Sequence, residues 1–133
     1  MRQLLIVDDD SHIRELLRFV MTREGYQVYE AENGMEAVKM MDTHDMDLAV
    51  VDIMMPYMDG YELCEYIREN YDIPIIMLTA KDQLTDKEEA YSRGTDDYLT
   101  KPFEPEELVF RVKALFRRYQ RTSSDTLYLN RIV

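Results

Sequence analysis

A chain of 133 residues fits one domain with a short extension. At that size roughly two thirds of the unfolded surface is buried on folding, so no disulfide or metal staple is required. The formal net charge of −11 excludes this segment from gripping nucleic acid by itself, because phosphate contacts need lysine and arginine. The lone Cys64 has no intramolecular bridging partner and reads as a small buried apolar side chain. There is no apolar run of about 18 residues, and the N-terminus runs into carboxylates instead of a signal-peptide core, so the expectation is a soluble, cytoplasmic protein.

Residues 4–7 form a first apolar run without alternation, as expected of a parallel strand covered on both faces. Ser11 is placed to cap a helix whose stripe is Ile13, Leu16, Leu17, Val20 and Met21, and Gly25 stops it. Residues 26–30 are a weaker strand candidate. Asn33 with Glu36 has the spacing of a capping box, and Asp59 with Glu62 repeats it, so each pair predicts a helix start. Between those helices residues 48–51 are a second unbroken apolar run, and residues 75–78 are a third. Residues 83–93 carry a poor stripe, Leu84, Ala90 and Tyr91, which predicts a weakly anchored fourth helix. Residues 97–99 are the last strand candidate. A fifth helix begins at Glu104-Pro105 and buries Leu108, Val109, Val112, Leu115 and Phe116. The polar stretch 122–125 reads as a linker. Residues 126–133 alternate like a strand that lacks a domain around it, so the chain reads as part of something longer. Strand and helix alternate five times, which predicts a doubly wound (βα)5 fold with a five-stranded parallel sheet and right-handed crossovers.

The polar interruptions gather in one place. Asp8, Asp9 and Asp10 follow the first strand, Asp52 the third, Thr79 the fourth, and Lys101 with Pro102 the fifth. In an open α/β sheet the C-terminal strand ends bound the crevice where ligands bind. Solvated loop ends explain any one of these residues, but not all of them together. Crowded carboxylates raise one another's pKa, and a divalent cation relieves the repulsion. Hard oxygens without a Cys/His set favour Mg²⁺ over zinc; His12 and His44, far apart in sequence, read as surface helix residues. A carboxylate beside such a cation can attack a phosphoryl group to give an aspartyl phosphate. The Lys101 ammonium and Thr79 hydroxyl then suit the transferred oxygens. Asp8 and Asp9, adjacent in one turn, are the natural metal holders, which leaves Asp52 as nucleophile.

The blocks LLIVDDD, VVDIMMPYMDGYEL, IIMLTAKD and GTDDYLTKPF, in that order, resemble the receiver domains of bacterial two-component response regulators. The resemblance covers residues 2–120. With ELVFRVKALFRR it narrows to the OmpR/PhoB class, in which TLYLNRIV is similar to the opening strand of a winged-helix DNA-binding domain after the linker. The resemblance implies a flavodoxin-like (CheY-like) sheet in the order 2-1-3-4-5. It makes Asp52 the phosphoacceptor and assigns Mg²⁺ to Asp8, Asp9, Asp52 and the main-chain carbonyl of Met54. Asp9 is favoured as the direct ligand with Asp8 acting through water, and Asp10 remains an alternative. Thr79 and Lys101 take the phosphate-binding roles, Tyr98 matches a switch aromatic coupled to Thr79, and the Lys101-Pro102 bond is expected cis. The implied partner is a sensor histidine kinase. The chain is expected to be a signalling domain that catalyses its own phosphorylation and dephosphorylation, not an enzyme acting on other substrates.

The same resemblance implies a homodimer on phosphorylation, through the fourth helix, fifth strand and fifth helix. Its expected cross-chain pairs are Lys87 with Glu107, Asp97 with Arg111, and Asp96 with Lys113. DNA contact is expected only through the following domain, and no membrane contact is expected. The sequence departs from the usual pattern at Arg93 and Thr95, which bears on that dimer face and not on the phosphorylation site. A free-standing relay receiver without DNA-binding output is the alternative. An aspartate-nucleophile phosphatase is a poorer fit, since His12 stands where its motif needs threonine and Asp52 would be unexplained. No GxxxxGK[ST] or GxGxxG motif supports a nucleotide site.

Overall fold

A computed structural model describes residues 1–55, 58–80 and 95–132, with side chains described as far as Tyr119. Five strands alternate with helices: β1 (Gln3–Val7), α1 (Ser11–Arg23), β2 (Gln27–Ala31), α2 (Gly34–Thr43), β3 (Leu48–Asp52), α3 (Gly60–Asn70), β4 (Ile75–Ala80) and β5 (Asp97–Lys101). A C-terminal helix, Pro105–Ile132, follows. All strand pairs are parallel, in the order β2-β1-β3-β4-β5. The fourth helix expected over residues 83–93, with Leu84, Lys87, Ala90 and Arg93, lies outside the described residues. Among those described, no helix is long and apolar enough to cross a membrane.

The unbroken apolar runs arise because the sheet is covered twice. Leu5, Val7, Ala49, Val51, Ile75 and Met77 pack with Ala37 and Met41 of α2 and with Leu63, Cys64 and Ile67 of α3. The intervening Leu4, Ile6, Leu48, Val50, Ile76 and Leu78 pack with Leu17 and Met21 of α1 and with Leu108, Val112, Leu115 and Phe116 of the C-terminal helix. Alternate residues of one strand therefore enter different cores, and every position is apolar. Cys64 is buried and reduced within the first core, as expected.

Local signals set most boundaries. Asn33 Oδ1 accepts from the Glu36 amide and Asp59 Oδ1 from the Glu62 amide, each at 2.9 Å. Gly25 ends α1 with φ +94, a left-handed conformation that glycine adopts without a side-chain penalty. The cap of α1 differs from the sequence expectation. Asp10, not Ser11, is the N-cap, accepting from the His12 amide at 2.9 Å. Its carboxylate also brings negative charge to the positive end of the helix dipole.

The second difference is at the C-terminus. The helix continues to Ile132, through the polar stretch 122–125 and the alternating stretch read as a strand. Period-2 patterning forms a strand only where a neighbouring edge takes its backbone groups, whereas a helix satisfies them within the segment. Serine and threonine lower helix propensity by only about 0.5 kcal/mol each, too little to end a helix already nucleated.

One close approach positions the site. The Gly60 amide donates to the Ile53 carbonyl at 2.9 Å, which brings the start of α3 onto the end of β3. A Cβ at Gly60 would lie 2.4 Å from the Asp52 carbonyl oxygen and 2.7 Å from the Ile53 Cα, both backbone atoms. Gly60→Ala is therefore expected to cost about 1–3 kcal/mol through forced backbone displacement, read from the urea midpoint. An unchanged midpoint would show that α3 can move away freely.

Candidate functional site

The parallel register delivers the predicted residues to one rim. Asp8 leaves β1 directly after Val7, which pairs with Val51, and Asp52 ends β3 opposite Leu78. Thr79 lies opposite Thr100, and Lys101, opposite Ala80, ends β5. Asp8, Asp52 and Thr79 are buried, whereas Asp9 is exposed. The Asp8 amide donates to the Ala31 carbonyl at 3.1 Å, extending the β1–β2 ladder by one residue past the strands.

Lys101 joins the two buried carboxylates. Its Nζ lies 2.9 Å from Asp8 Oδ2 and 3.5 Å from Asp52 Oδ1. Asp8 Oδ1 accepts from the Asp10 amide at 2.9 Å, and Asp52 Oδ1 accepts from the Met54 amide at 3.3 Å. Burial, and then repulsion from Asp8, pushes the Asp52 carboxyl up from 3.8 to about 6; Lys101 and the Met54 amide oppose that rise, and Asp9 adds a little to it. Burial works against the Lys101 ammonium, but the hydrogen bond to Asp8 and the attraction of Asp52 and Asp8 hold its pKa above the ordinary lysine value.

Carboxylate oxygens of Asp8, Asp9 and Asp52 all lie within 4.8 Å of one another. Three hard anionic donors from two strand ends fit a divalent cation of the Mg²⁺ type and offer nothing to a thiophilic one. Asp10 stands outside the cluster because its carboxylate caps α1. Met54 adjoins Asp52 through its amide, while Pro56 and Tyr57 beyond it lie outside the described residues. The Thr79 hydroxyl is 3.5 Å from the Ala80 carbonyl, the outer limit of a hydrogen bond. Tyr98, beside Met77 in the sheet, is half-buried against the α2–α3 core. The Lys101-Pro102 bond is cis, as expected.

Of the charges expected to pair between two chains, Asp96, Asp97, Arg111 and Lys113 have partners within this one. Asp97 receives Arg111 Nη1 on both oxygens at 2.9 Å. Lys113 Nζ meets Glu24 of α1 at 2.6 Å. Asp96 accepts from Arg68, from the Ile75 amide at 2.8 Å and from the Tyr119 hydroxyl at 2.9 Å. Glu107 is exposed in the first turn of the C-terminal helix, and its expected partner Lys87 lies outside the described residues.

Sequence reasoning missed four contributors. Gly60 read only as the residue after a cap, and its approach to the Asp52 main chain had no signal beyond the Asp59-Gly60 pair. Arg68 and Tyr119 carried no signal at all. Nor did Arg14, whose Nη1 donates to the Asp8 carbonyl at 2.7 Å.

The family described as the response regulator receiver domain matches residues 4–113. A heme response regulator HssR of Staphylococcus saprophyticus is 50% identical over 119 residues, covering 90% of this chain and 53% of that protein. Its namesake in Staphylococcus aureus is 46% identical over 132 residues, covering 99% and 59%. The chain thus spans somewhat more than half the length of these relatives. Among solved structures, the receiver domain of the Francisella response regulator 1452 superposes with a TM-score of 0.84 at 38% identity, covering 90% of this chain and 99% of that one. A two-component response regulator from Clostridium difficile gives 0.86 at 31% identity, covering 90% and 98%.

The raised Asp52 pKa has a stability consequence. With the folded value near 6 and the ordinary value 3.8, the folded state holds its proton more tightly. Stability from this group is full below about 3.8 and is lost as pH rises through about 6. Without divalent cation, Asp52→Asn is therefore expected to stabilise the fold above pH 6 by about 2 kcal/mol, fading to nothing near pH 4. Thermal unfolding across that range checks it, and an equal stability of the two proteins at pH 7.5 would contradict the strained carboxylate.

Proposed function

We infer that this chain, which belongs to the response regulator receiver domain family, accepts a phosphoryl group on Asp52 from a sensor histidine kinase. One observation carries the reading. Asp8, Asp9, Asp52 and Lys101, from three strand ends, converge at one rim, where Asp52 faces both the lysine and the acidic turn from the neighbouring strand. A carboxylate oxygen of Asp52 forms the bond to phosphorus as the bond to the donor's histidine nitrogen breaks, and the proton balance stays with the leaving imidazole. A bound Mg²⁺ would supply charge neutralisation for the transferring oxygens, held by Asp8, Asp9, Asp52 and the Met54 carbonyl. Lys101 already lies within reach of both buried carboxylates and is placed to exchange Asp52 for a phosphoryl oxygen. The Thr79 hydroxyl, weakly engaged at 3.5 Å, is placed to turn towards another. Its movement would leave room for the Tyr98 ring to turn inward.

The proposed setting is a cytoplasmic transcriptional regulator, with residues 1–120 as receiver and the residues from 121 leading towards a winged-helix DNA-binding domain. The acidic balance of this chain leaves DNA contact to that following domain. In the presence of Mg²⁺ and acetyl phosphate, intact mass is expected to show a single phosphoryl adduct. Asp52→Asn is expected to lose the adduct with its fold kept, and excess chelator to stop the transfer. Full phosphorylation of the variant would overturn the acceptor, and unchanged transfer in chelator would overturn the cation role.

Phosphorylation is further proposed to drive dimerisation through β5, the C-terminal helix and the segment between β4 and β5. Lys87 with Glu107, Asp97 with Arg111, and Asp96 with Lys113 are the proposed cross-chain pairs, the last two requiring release of the contacts those residues make within one chain. A two-fold axis makes each pair twice, so one mismatch counts double. Sedimentation of the phosphorylated protein is expected to show a dimer, lost in Arg111→Glu and recovered in Arg111→Glu with Asp97→Lys. A dimer untouched by the single reversal would place the interface elsewhere.

A further inference from the structure

The β1–α1 turn carries two members of the acidic cluster, Asp8 and Asp9, and Asp8 is its most buried residue. With β1 ended, the Asp8 carbonyl has no strand partner of its own. Arg14 Nη1 takes that role at 2.7 Å, while the same guanidinium's Nε reaches Glu30 Oε1 of β2 at 3.2 Å. Glu30 is in turn held by Arg18, Nε to Oε2 at 2.5 Å, and Arg18 also donates to the Val28 carbonyl at 3.1 Å. The Arg14 side chain is only 15% exposed against 50% for Arg18, so Arg14 is an internal strut and Arg18 its outer brace.

Two physical consequences follow. A guanidinium presents donors along two fixed directions, so one group can tie the turn to β2. A lysine ammonium at the same position keeps the charge but not the fork. Glu30 also has an electrostatic task, because an unrestrained cation beside the turn is drawn to the Asp8 and Asp9 carboxylates and competes there with a metal ion. With its Nε edge on Glu30, the guanidinium stays on the carbonyl side of Asp8.

We propose that Arg14 is a positioning residue for the divalent-cation site, and that its contact with Glu30 sets how tightly the Asp8–Asp9–Asp52 cluster holds the ion. The inference rests on the reading that this cluster binds a divalent cation. Residues that orient metal ligands from outside the ligand set commonly change affinity by about 10-fold or more when removed.

The test is calorimetric titration of MgCl₂ into the unphosphorylated protein, with thermal unfolding in the absence of Mg²⁺ as the control for folding. Arg14→Lys and Arg14→Met are both expected to weaken Mg²⁺ binding by about 10-fold, while the phosphorylation rate at saturating Mg²⁺ is retained. Glu30→Gln is expected to weaken binding as well. The double variant Arg14→Met with Glu30→Gln should lose no more than Arg14→Met alone, since both act through one contact. Wild-type affinity in Arg14→Lys, tighter binding in Arg14→Met, or additive losses in the double variant would overturn the proposal. If Arg14→Met does not fold, the comparison of Glu30→Gln with wild type decides in its place, unchanged affinity being the overturning result. Wild-type protein that binds no Mg²⁺ would instead overturn the cation reading, and this inference with it.

Discussion

Asp8 and Asp52 are brought together in a buried position, and a third carboxylate, Asp9, stands at their edge. Like charges so placed are unfavourable in a medium that screens poorly, and each must be partnered or protonated. Lys101 partners both, and two backbone amides, of Asp10 and Met54, take one oxygen each. The compensation is partial, as the rise of the Asp52 pKa to about 6 records. A site in this condition has a standing affinity for positive charge and for groups that carry it in. The repulsion is tolerated because the strands that hold it are covered on both faces by apolar side chains, whose burial is worth roughly 25 cal/mol per Å². The rim is strained because the sheet beneath it is secure.

Much of this was legible in the sequence for one reason: the fold separates apolar strand interiors from polar strand ends. Residues 4–7, 48–51 and 75–78 interrupt nothing, so the first polar residue after each marks the rim. Asp8, Asp52 and Thr79 were visible by that rule alone, and Lys101 by its place after the weaker run at 97–99. Asn33 and Asp59 were equally legible, since a cap acts over three residues of chain. What could not be read depends on partners distant in sequence. Arg14 on a helix turn and Glu30 on an edge strand give no sign of each other until the chain is closed. Gly60 belongs here too, because a close approach leaves no pattern in the residues that approach. At the cap of α1, two adjacent side chains were both competent, and only the backbone at Asp10 decided between them. At the C-terminus an alternating pattern without a partner edge did not make a strand.

The surface charges lead to a different lesson. Asp97, Asp96 and Lys113 read as interchain partners, yet each has a partner inside the chain: Arg111, the Arg68–Ile75–Tyr119 group, and Glu24. At these three residues a dimer formed through this face would exchange ion pairs instead of adding them. Exposed pairs contribute about 0.2–1 kcal/mol each, so an exchange of like for like is close to neutral in affinity. Such charges select geometry and partner, because a mismatched chain loses the internal pair and gains repulsion.

The three groups are not equally free to exchange. Asp97 and Arg111 meet on the edge strand and the helix beside it, with Arg111 partly open to solvent, and their exchange needs only side-chain rotation. Asp96 is bound to three elements at once: α3 through Arg68, the start of β4 through the Ile75 amide, and the C-terminal helix through Tyr119. Releasing it would leave the buried Ile75 amide without its acceptor, at a cost of about 1–3 kcal/mol, and would remove the carboxylate from Arg68. Lys113 points towards α1 and would have to cross the helix surface to reach another chain. Of the described charges on this face, Asp97 and Arg111 are therefore the pair that a second chain can engage most cheaply, and Asp96 is the one whose first duty is to hold its own sheet, α3 and terminal helix in register.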